Sequence, residues 1–186
     1  MLPARLIAAA LLMITAGAAL AHDGHHDGGL AAGLAHPFGG ADHLLAMIAV
    51  GLAAAMRGGR ALWAWPLAFV SAAALGFLAG RYGPALPITE PMVLASVLVL
   101  GLIVAASMPV SLAAGITLIA ISGLFHGQAH AAEAGSQSIV AFAAGFLIAS
   151  AALHGAGLGL YRLGGKMWGR LAGAATALGG LALALA

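Results

Sequence analysis

The chain has 186 residues, of which 63% are hydrophobic and only 6% are charged, and its formal net charge is +2. A soluble domain carries about 25% charged residues, so this composition excludes both an ordinary water-soluble fold and a disordered chain. It indicates a protein that lies in a lipid bilayer. The absence of cysteine excludes disulfides, thiolate metal sites and thiol chemistry. We expect no nucleic-acid partner, because the few basic residues are scattered among short loops.

Residues 1–21 are predicted to be a cleaved signal peptide. Arg5 precedes a short apolar run, and the segment ends with Ala19-Leu20-Ala21. A positive start, a short apolar core and a small-x-small end are typical of secretory signals, whereas a membrane span needs about 20 apolar residues. A retained first transmembrane helix is the alternative. Cleavage after Ala21 would place the mature amino terminus, His22, on the periplasmic side.

Six further apolar segments have the length that crosses a bilayer, about 20 residues. Only helices satisfy every backbone group within such a segment, so we predict an all-α polytopic membrane protein with six transmembrane helices. The predicted spans are residues 37–56, 61–80, 90–107, 111–133, 138–160 and 167–186. The predicted domains are the signal peptide (1–21), a periplasmic tail rich in His and Asp (22–35) and the transmembrane domain (36–186).

The distribution of basic residues predicts the orientation of the spans. With the mature amino terminus outside, the outer loops hold only Arg81. The inner loops and the helix start that follows them hold Arg57, Arg60, Arg162, Lys166 and Arg170. This excess on the inner side satisfies the positive-inside rule.

Glycine pairs predict close contacts between the spans. Glycine accounts for 28 of the 186 residues, about twice its usual frequency. Pairs spaced four residues apart, such as Gly155/Gly159 and Gly169/Gly173, allow two helix backbones to approach closely. They indicate packing and carry no information about chemistry.

Ionisable residues gather at the predicted outer ends of the spans. His36, Asp42 and His43 stand near the start of the first span, where we expect Asp42 and His43 to lie a turn or more inside the helix. The fourth span ends with His126, His130 and Glu133 at positions i, i+4 and i+7, which share one helix face. Glu90 begins the third span at the same level, while His154 stands deeper in the fifth.

Clustered imidazoles and carboxylates need a partner within a bilayer. A charge at the centre of a membrane helix costs about 2.5–3.5 kcal/mol on insertion scales. A divalent ion accepts neutral imidazole nitrogens and neutralises carboxylates together, and such a ligand set suits Ni²⁺, Co²⁺ or Zn²⁺. A hydrogen-bonded cluster that joins the helices is the alternative. The predicted metal site comprises His36, Asp42, His43, His130, Glu133, Glu90 and His126. Residues 22–29 of the tail, expected to be flexible, either capture ions weakly or only improve solubility.

The motif His36-Pro37-x-x-Gly40-x-Asp42-His43, the six spans and the polar fourth helix resemble the HupE/UreJ family of nickel permeases. The resemblance covers nearly the whole chain. It implies secondary uptake of Ni²⁺ across the bacterial inner membrane, in support of hydrogenase or urease maturation. From the family motif it implies that His36, Asp42 and His43 bind the ion. From the match to the family's polar fourth helix it extends this role to His130 and Glu133, and then to Glu90. Nickel would be a transported substrate, and we expect no resident cofactor.

Three other classes of protein fit the sequence less well. A membrane metal sensor or an accessory subunit would bind the ion without transporting it. A membrane haem protein would use two histidines as axial ligands, which the neighbouring carboxylates do not favour. An intramembrane protease would need a Gly-x-Ser-Gly motif, which is missing around Ser122. We therefore expect a protein that is not an enzyme and has no catalytic residues.

Overall fold

The computed structural model describes residues 29–134 and 138–186, and these residues are helical apart from short turns. The helices are α1 (Leu30–Ala35), α2 (Ala41–Arg57), α3 (Ala61–Tyr82), α4 (Thr89–Ala106), α5 (Leu112–Glu133) and α6 (Ile139–Ala184), with a 3-10 turn at His36–Phe38. Within the described residues there is no strand, so the predicted all-α fold class is confirmed. The predicted signal peptide and residues 22–28 of the tail lie outside the described residues.

Four helices are long and apolar enough to cross a membrane, namely α3, α4, α5 and α6. A fifth span results if the bent pair formed by Leu30–Phe38 and Ala41–Arg57 counts as one. The predicted spans 61–80, 90–107 and 111–133 agree with α3, α4 and α5 to within two residues at each end. The predicted number of six spans stays a prediction.

The first predicted span is bent rather than straight. The segment before Gly39 and the helix α2 meet at 84°. Pro37 lies in the 3-10 turn, and Gly40 has extended angles (φ −113°, ψ 120°) that separate this turn from α2. The prediction that Asp42 and His43 lie a turn or more inside a helix is therefore wrong, because both lie in the first turn of α2.

The helical bundle also includes residues from the end of the predicted periplasmic tail (22–35). Residues 30–35 form α1, which packs against α6. Gly33 of α1 lies against the backbone of Phe142, and Gly145 of α6 lies against the backbone of Leu30. These reciprocal close contacts fix the position of the 3-10 turn that follows.

Helix α6 is broken at Gly165, which divides it into two arms. The backbone angles of Gly165 (φ 70°, ψ −168°) are a conformation that residues other than glycine rarely adopt. The predicted loop over residues 161–166 is therefore wrong in extent, because helix continues on both sides of this one residue. The two arms contain the apolar segments predicted as spans five and six.

The two arms of α6 pack against different helices through small residues. Gly157 of the first arm faces Gly51 of α2, whereas Gly173 of the second arm lies against α4. The contacts predicted through Gly155 and Gly159 are wrong, because nothing lies within 4 Å of the position that a Cβ would take at either residue. The close approach occurs one helix face away, at Gly157.

The bundle has a polar end and a basic end. The first turns of α2 and α4 carry Asp42 and Glu90, and the last turn of α5 lies at the same end. At the opposite end, Arg57 Nε donates to the carbonyl of Val110, and Arg170 Nε donates to the carbonyl of Ala105. Large apolar side chains such as those of Phe69 and Phe146 fill the space between the two ends. The polar end is thus where several helices bring ionisable side chains together.

Candidate metal site

A cavity of about 260 Å³ opens at the polar end of the bundle. Six of the seven predicted metal ligands line it, and only His126 does not. The lining comprises His36, Gly39, Gly40, Asp42, His43, Glu90, His130 and Glu133. The structure therefore brings together residues from the 3-10 turn, α2, α4 and α5.

Three of these residues, His36, His130 and Glu133, form what we call the rim trio. His36 Nε2 lies 2.6 Å from Glu133 Oε2, and His130 Nδ1 lies 3.3 Å from the same oxygen. The candidate ligand atoms of the three residues all lie within 4.8 Å of one another. The side chain of His130 is buried and that of Glu133 is half exposed, so the trio reaches from the surface into the bundle. Two imidazoles and a carboxylate at this spacing form a ligand set for a divalent ion.

The local structure explains how the rim trio forms. His130 and Glu133 stand three residues apart in the last turn of α5, so both side chains project from one face. His36 comes from the 3-10 turn, where Pro37 has a fixed φ and no backbone N–H that would need an acceptor. The ring of His36 also packs edge-on against Phe142 of α6, at a centroid distance of 5.1 Å.

Asp42 and His43 form a hydrogen-bonded pair beside the rim trio. Asp42 Oδ1 accepts a bond from the backbone amide of His43 and a second from His43 Nδ1, each at 2.8 Å. Gly40 makes room for this pair, because a Cβ at residue 40 would lie 2.7 Å from Asp42 Oδ1 and 3.0 Å from His43 Nδ1. The aspartate therefore orients the histidine, as carboxylates do for many metal-binding imidazoles.

His126 lies below the cavity rather than in its wall. Its side chain is fully buried, and its ring centroid is 4.7 Å from that of His43. Ser96 Oγ lies 2.9 Å from His126 Nε2 and donates its own proton to the carbonyl of Val93. His126 was predicted as a ligand from its helical spacing, but Ser96, which holds its ring, has no signal in the sequence.

Glu90 lies in the cavity wall but outside the rim trio. It belongs to the first turn of α4 and is exposed. Among the described residues, the group with closely spaced ligand atoms contains His36, His130 and Glu133 without Glu90. The neighbouring Thr89 donates a hydrogen bond of 2.8 Å to Gln128 of α5, which fixes α4 relative to the helix that carries two members of the trio.

Deeper in the bundle, His154 is buried and neither of its ring nitrogens has a hydrogen-bond partner. Phe69 lies between two histidine rings, with centroid distances of 5.4 Å to His126 and 4.9 Å to His154. Sequence reasoning missed Phe69, because an aromatic residue within an apolar span is ordinary core composition. A series of imidazoles thus extends from the rim of the cavity into the core.

These features define a multi-span helical membrane protein that gathers imidazoles and carboxylates at one end. The chain belongs to the HupE/UreJ family, described as "HupE / UreJ protein", whose profile matches residues 10–183. It is similar to Protein HupE of Rhizobium leguminosarum bv. viciae, with 43% identity over 168 residues, which cover 88% of each chain. No solved structure matches the chain.

Proposed function

We propose that the protein is a secondary permease that imports Ni²⁺ across the bacterial inner membrane and supplies hydrogenase or urease maturation. The observation that carries the proposal is the rim trio, in which His36, His130 and Glu133 bring their ligand atoms within 4.8 Å at one end of a helical membrane bundle. Membership in the HupE/UreJ family supports nickel as the ion. The ligand types alone suit Co²⁺ and Zn²⁺ as well.

The rim trio would capture the ion from the periplasmic side. Glu133 is half exposed, so an arriving hydrated ion meets a carboxylate first. His36 and His130 then replace water molecules, and Glu133 already accepts hydrogen bonds from both of these imidazoles. Asp42 adds negative charge to the cavity and orients His43 towards its role as a further ligand. Glu90, which also lines the cavity, contributes a further negative charge.

The membrane potential can drive such uptake without a nucleotide-hydrolysing partner. Moving one elementary charge across 100 mV contributes about 2.3 kcal/mol, so a divalent ion gains twice this amount. The basic end, marked by Arg57 and Arg170, would face the cytoplasm under the positive-inside rule.

The test is the accumulation of radioactive nickel in cells that lack their own nickel importers. Cells would express the wild type, Glu133→Gln or Glu90→Gln at equal membrane levels, with Tyr82→Phe, an exposed position near the same end of the bundle, as the matched control. We expect uptake by the wild type and the control. Because only Glu133 contacts two imidazoles, Glu133→Gln should abolish uptake and Glu90→Gln should reduce it.

Three outcomes would contradict this proposal or a part of it. No uptake by a correctly inserted wild type would exclude a permease and favour the alternative of a metal sensor or accessory subunit. Uptake that excess cobalt suppresses more strongly than excess unlabelled nickel would assign a different ion. Equal losses for the two glutamate variants would mean that the cavity needs charge rather than the rim trio as a ligand set.

A further inference from the structure

Four buried histidines carry ring nitrogens that lack a hydrogen-bond partner within the described residues. These atoms are His43 Nε2, His126 Nδ1, His130 Nε2 and both ring nitrogens of His154. A buried polar atom without a partner is rare in proteins and requires an explanation. Three of the four rings are neighbours, with centroid distances of 4.1 Å from His43 to His130 and 4.7 Å from His43 to His126. We call these three residues the inner triad.

The hydrogen bonds of the inner triad determine which ring nitrogens carry protons. Ser96 Oγ has given its proton to the carbonyl of Val93, so His126 Nε2 must be the donor to Ser96. His43 Nδ1 and His130 Nδ1 face the carboxylates of Asp42 and Glu133, which only accept. In each neutral ring the other nitrogen then has a lone pair and no proton. The three unpartnered nitrogens are therefore all electron-pair donors.

We infer that the inner triad is a second metal site, which holds a divalent ion by three imidazoles after it leaves the rim trio. Metal-binding histidines almost always donate their second ring N–H to an oxygen, and each ring of the triad does so. The three side chains are buried, and Asp42, bonded to His43, supplies a nearby negative charge. The inference rests on the proposed function, because it describes the next position of the transported ion.

His130 belongs to both sites through different nitrogens. Its Nδ1 faces Glu133 in the rim trio, and its Nε2 has no partner. When the ion binds at the rim through Nδ1, the ring proton moves to Nε2, and the inner triad loses one lone pair. When the ion moves inward to Nε2, the proton returns to Nδ1 and again bonds to Glu133. The two sites are therefore occupied alternately, and the transfer leaves no net change in bound protons.

One movement is needed to complete the inner triad. Among the described residues, only the rim trio has all its ligand atoms within 4.8 Å, so at least one ring of the triad must rotate when the ion enters. Within the triad, His43 is the central ring, because it contacts both His126 and His130.

The test is equilibrium dialysis of the purified full-length protein against radioactive Ni²⁺. Every variant would carry alanine at His22, His25 and His26, so that bound nickel reports the bundle and not the tail. His36→Gln weakens the rim trio and leaves the inner triad intact, and is the background for all comparisons. X-ray absorption at the nickel edge would count the imidazole ligands in this background, and we expect three.

Three further changes are compared in the His36→Gln background. Ser96→Ala removes a partner of a ligand, a change that costs about 10- to 100-fold in metal affinity. His126→Gln removes a ligand and should cost more than about 100-fold, beyond the range for such a partner. His154→Gln is the matched control, since it is the same substitution at an equally buried histidine outside the triad, and it should leave the affinity unchanged.

The outcomes separate the inner site from the transport proposal. If His126→Gln leaves the nickel affinity and ligand count unchanged, or if His154→Gln weakens binding as much, the inner triad is not a metal site. Nickel uptake into proteoliposomes is measured in parallel. If the His36→Gln background binds nickel with three imidazoles but the wild type transports none, the permease proposal fails and the inner site stands. If the wild type transports and His126→Gln binds and transports normally, only the inner site fails.

Discussion

The pair of glycines before α2 allows a sharp test of how the Asp42–His43 pair supports nickel binding. Gly39 (φ −78°, ψ −22°) and Gly40 (φ −113°, ψ 120°) both have backbone angles that alanine adopts freely. Their surroundings differ. A Cβ at residue 40 would lie 2.7 Å from Asp42 Oδ1, whereas a Cβ at residue 39 meets only the carbonyl of His36, at 3.3 Å. Gly40→Ala should therefore displace the Asp42 carboxylate, while Gly39→Ala should not.

The size of the effect follows from the bonds that the displacement breaks. Asp42 Oδ1 accepts two hydrogen bonds from His43, and a hydrogen bond to a charged group contributes about 1.5–3 kcal/mol. Of these two bonds, the one from His43 Nδ1 orients the imidazole, and its loss alone should lower nickel affinity roughly 10- to 150-fold, at about 1.4 kcal/mol for each tenfold change. The fold should survive, because the displaced atom is the end of a flexible side chain and not backbone.

The assay is nickel uptake at limiting nickel concentration, with thermal melting in detergent as the measure of folding. Gly40→Ala should show a raised half-saturation concentration and a melting temperature close to that of the wild type. Gly39→Ala, at equal membrane level, should behave as the wild type in both measurements. Equal uptake by the two variants would refute the role assigned to the Asp42–His43 pair.

Three further predictions concern the bundle. Gly157→Ala should lower the free energy of unfolding by about 1–3 kcal/mol, as overpacking does, because the added Cβ would overlap the backbone of α2. Gly155→Ala should melt as the wild type does. Equal melting temperatures for the two variants would contradict the assigned contact. Gly165→Ala should cost about 1–3 kcal/mol, measured in the same melt, because alanine rarely adopts the angles at this break; an unchanged melt would mean that the break is not required. Because the chain lacks cysteine, variants with a single cysteine test the orientation in the membrane. Leu86→Cys should react with an impermeant thiol reagent in intact spheroplasts, whereas Gly59→Cys should react only after lysis. The reverse pattern would overturn the predicted orientation.

Much of the bundle could be predicted from hydropathy, because lipid-crossing helices need long apolar runs that end at polar or turn-forming residues. The bounds of α3, α4 and α5 follow this rule closely. The bend at Gly39–Gly40 could not be found in this way, since averaged hydropathy does not report backbone direction. The role of Trp65 was also missed. Gly115 leaves space for its ring, and its Nε1 donates to the carbonyl of Leu112, a tertiary contact that hydropathy does not report.

The candidate site could be predicted in part for a similar reason. Helical spacing places His126, His130 and Glu133 on one face of α5, so their proximity follows from periodicity alone. The meeting of α5 with the turn that holds His36 depends on tertiary packing and was inferred only from a common depth in the membrane. Ser96 could not be recognised, because a single serine in an apolar helix has many uses. Its role became visible only with its hydrogen bonds to His126 and Val93.

The 84° bend before α2 has a mechanical consequence for the rim trio. His36 lies on the segment before the bend, whereas His130 and Glu133 lie on α5, so the three ligands are held by two separately supported parts of the chain. An ion that binds all three stabilises the angle at which their ligand atoms can surround it. By thermodynamic linkage, any force that changes this angle, such as a change in bilayer thickness, changes the affinity of the rim trio for the ion.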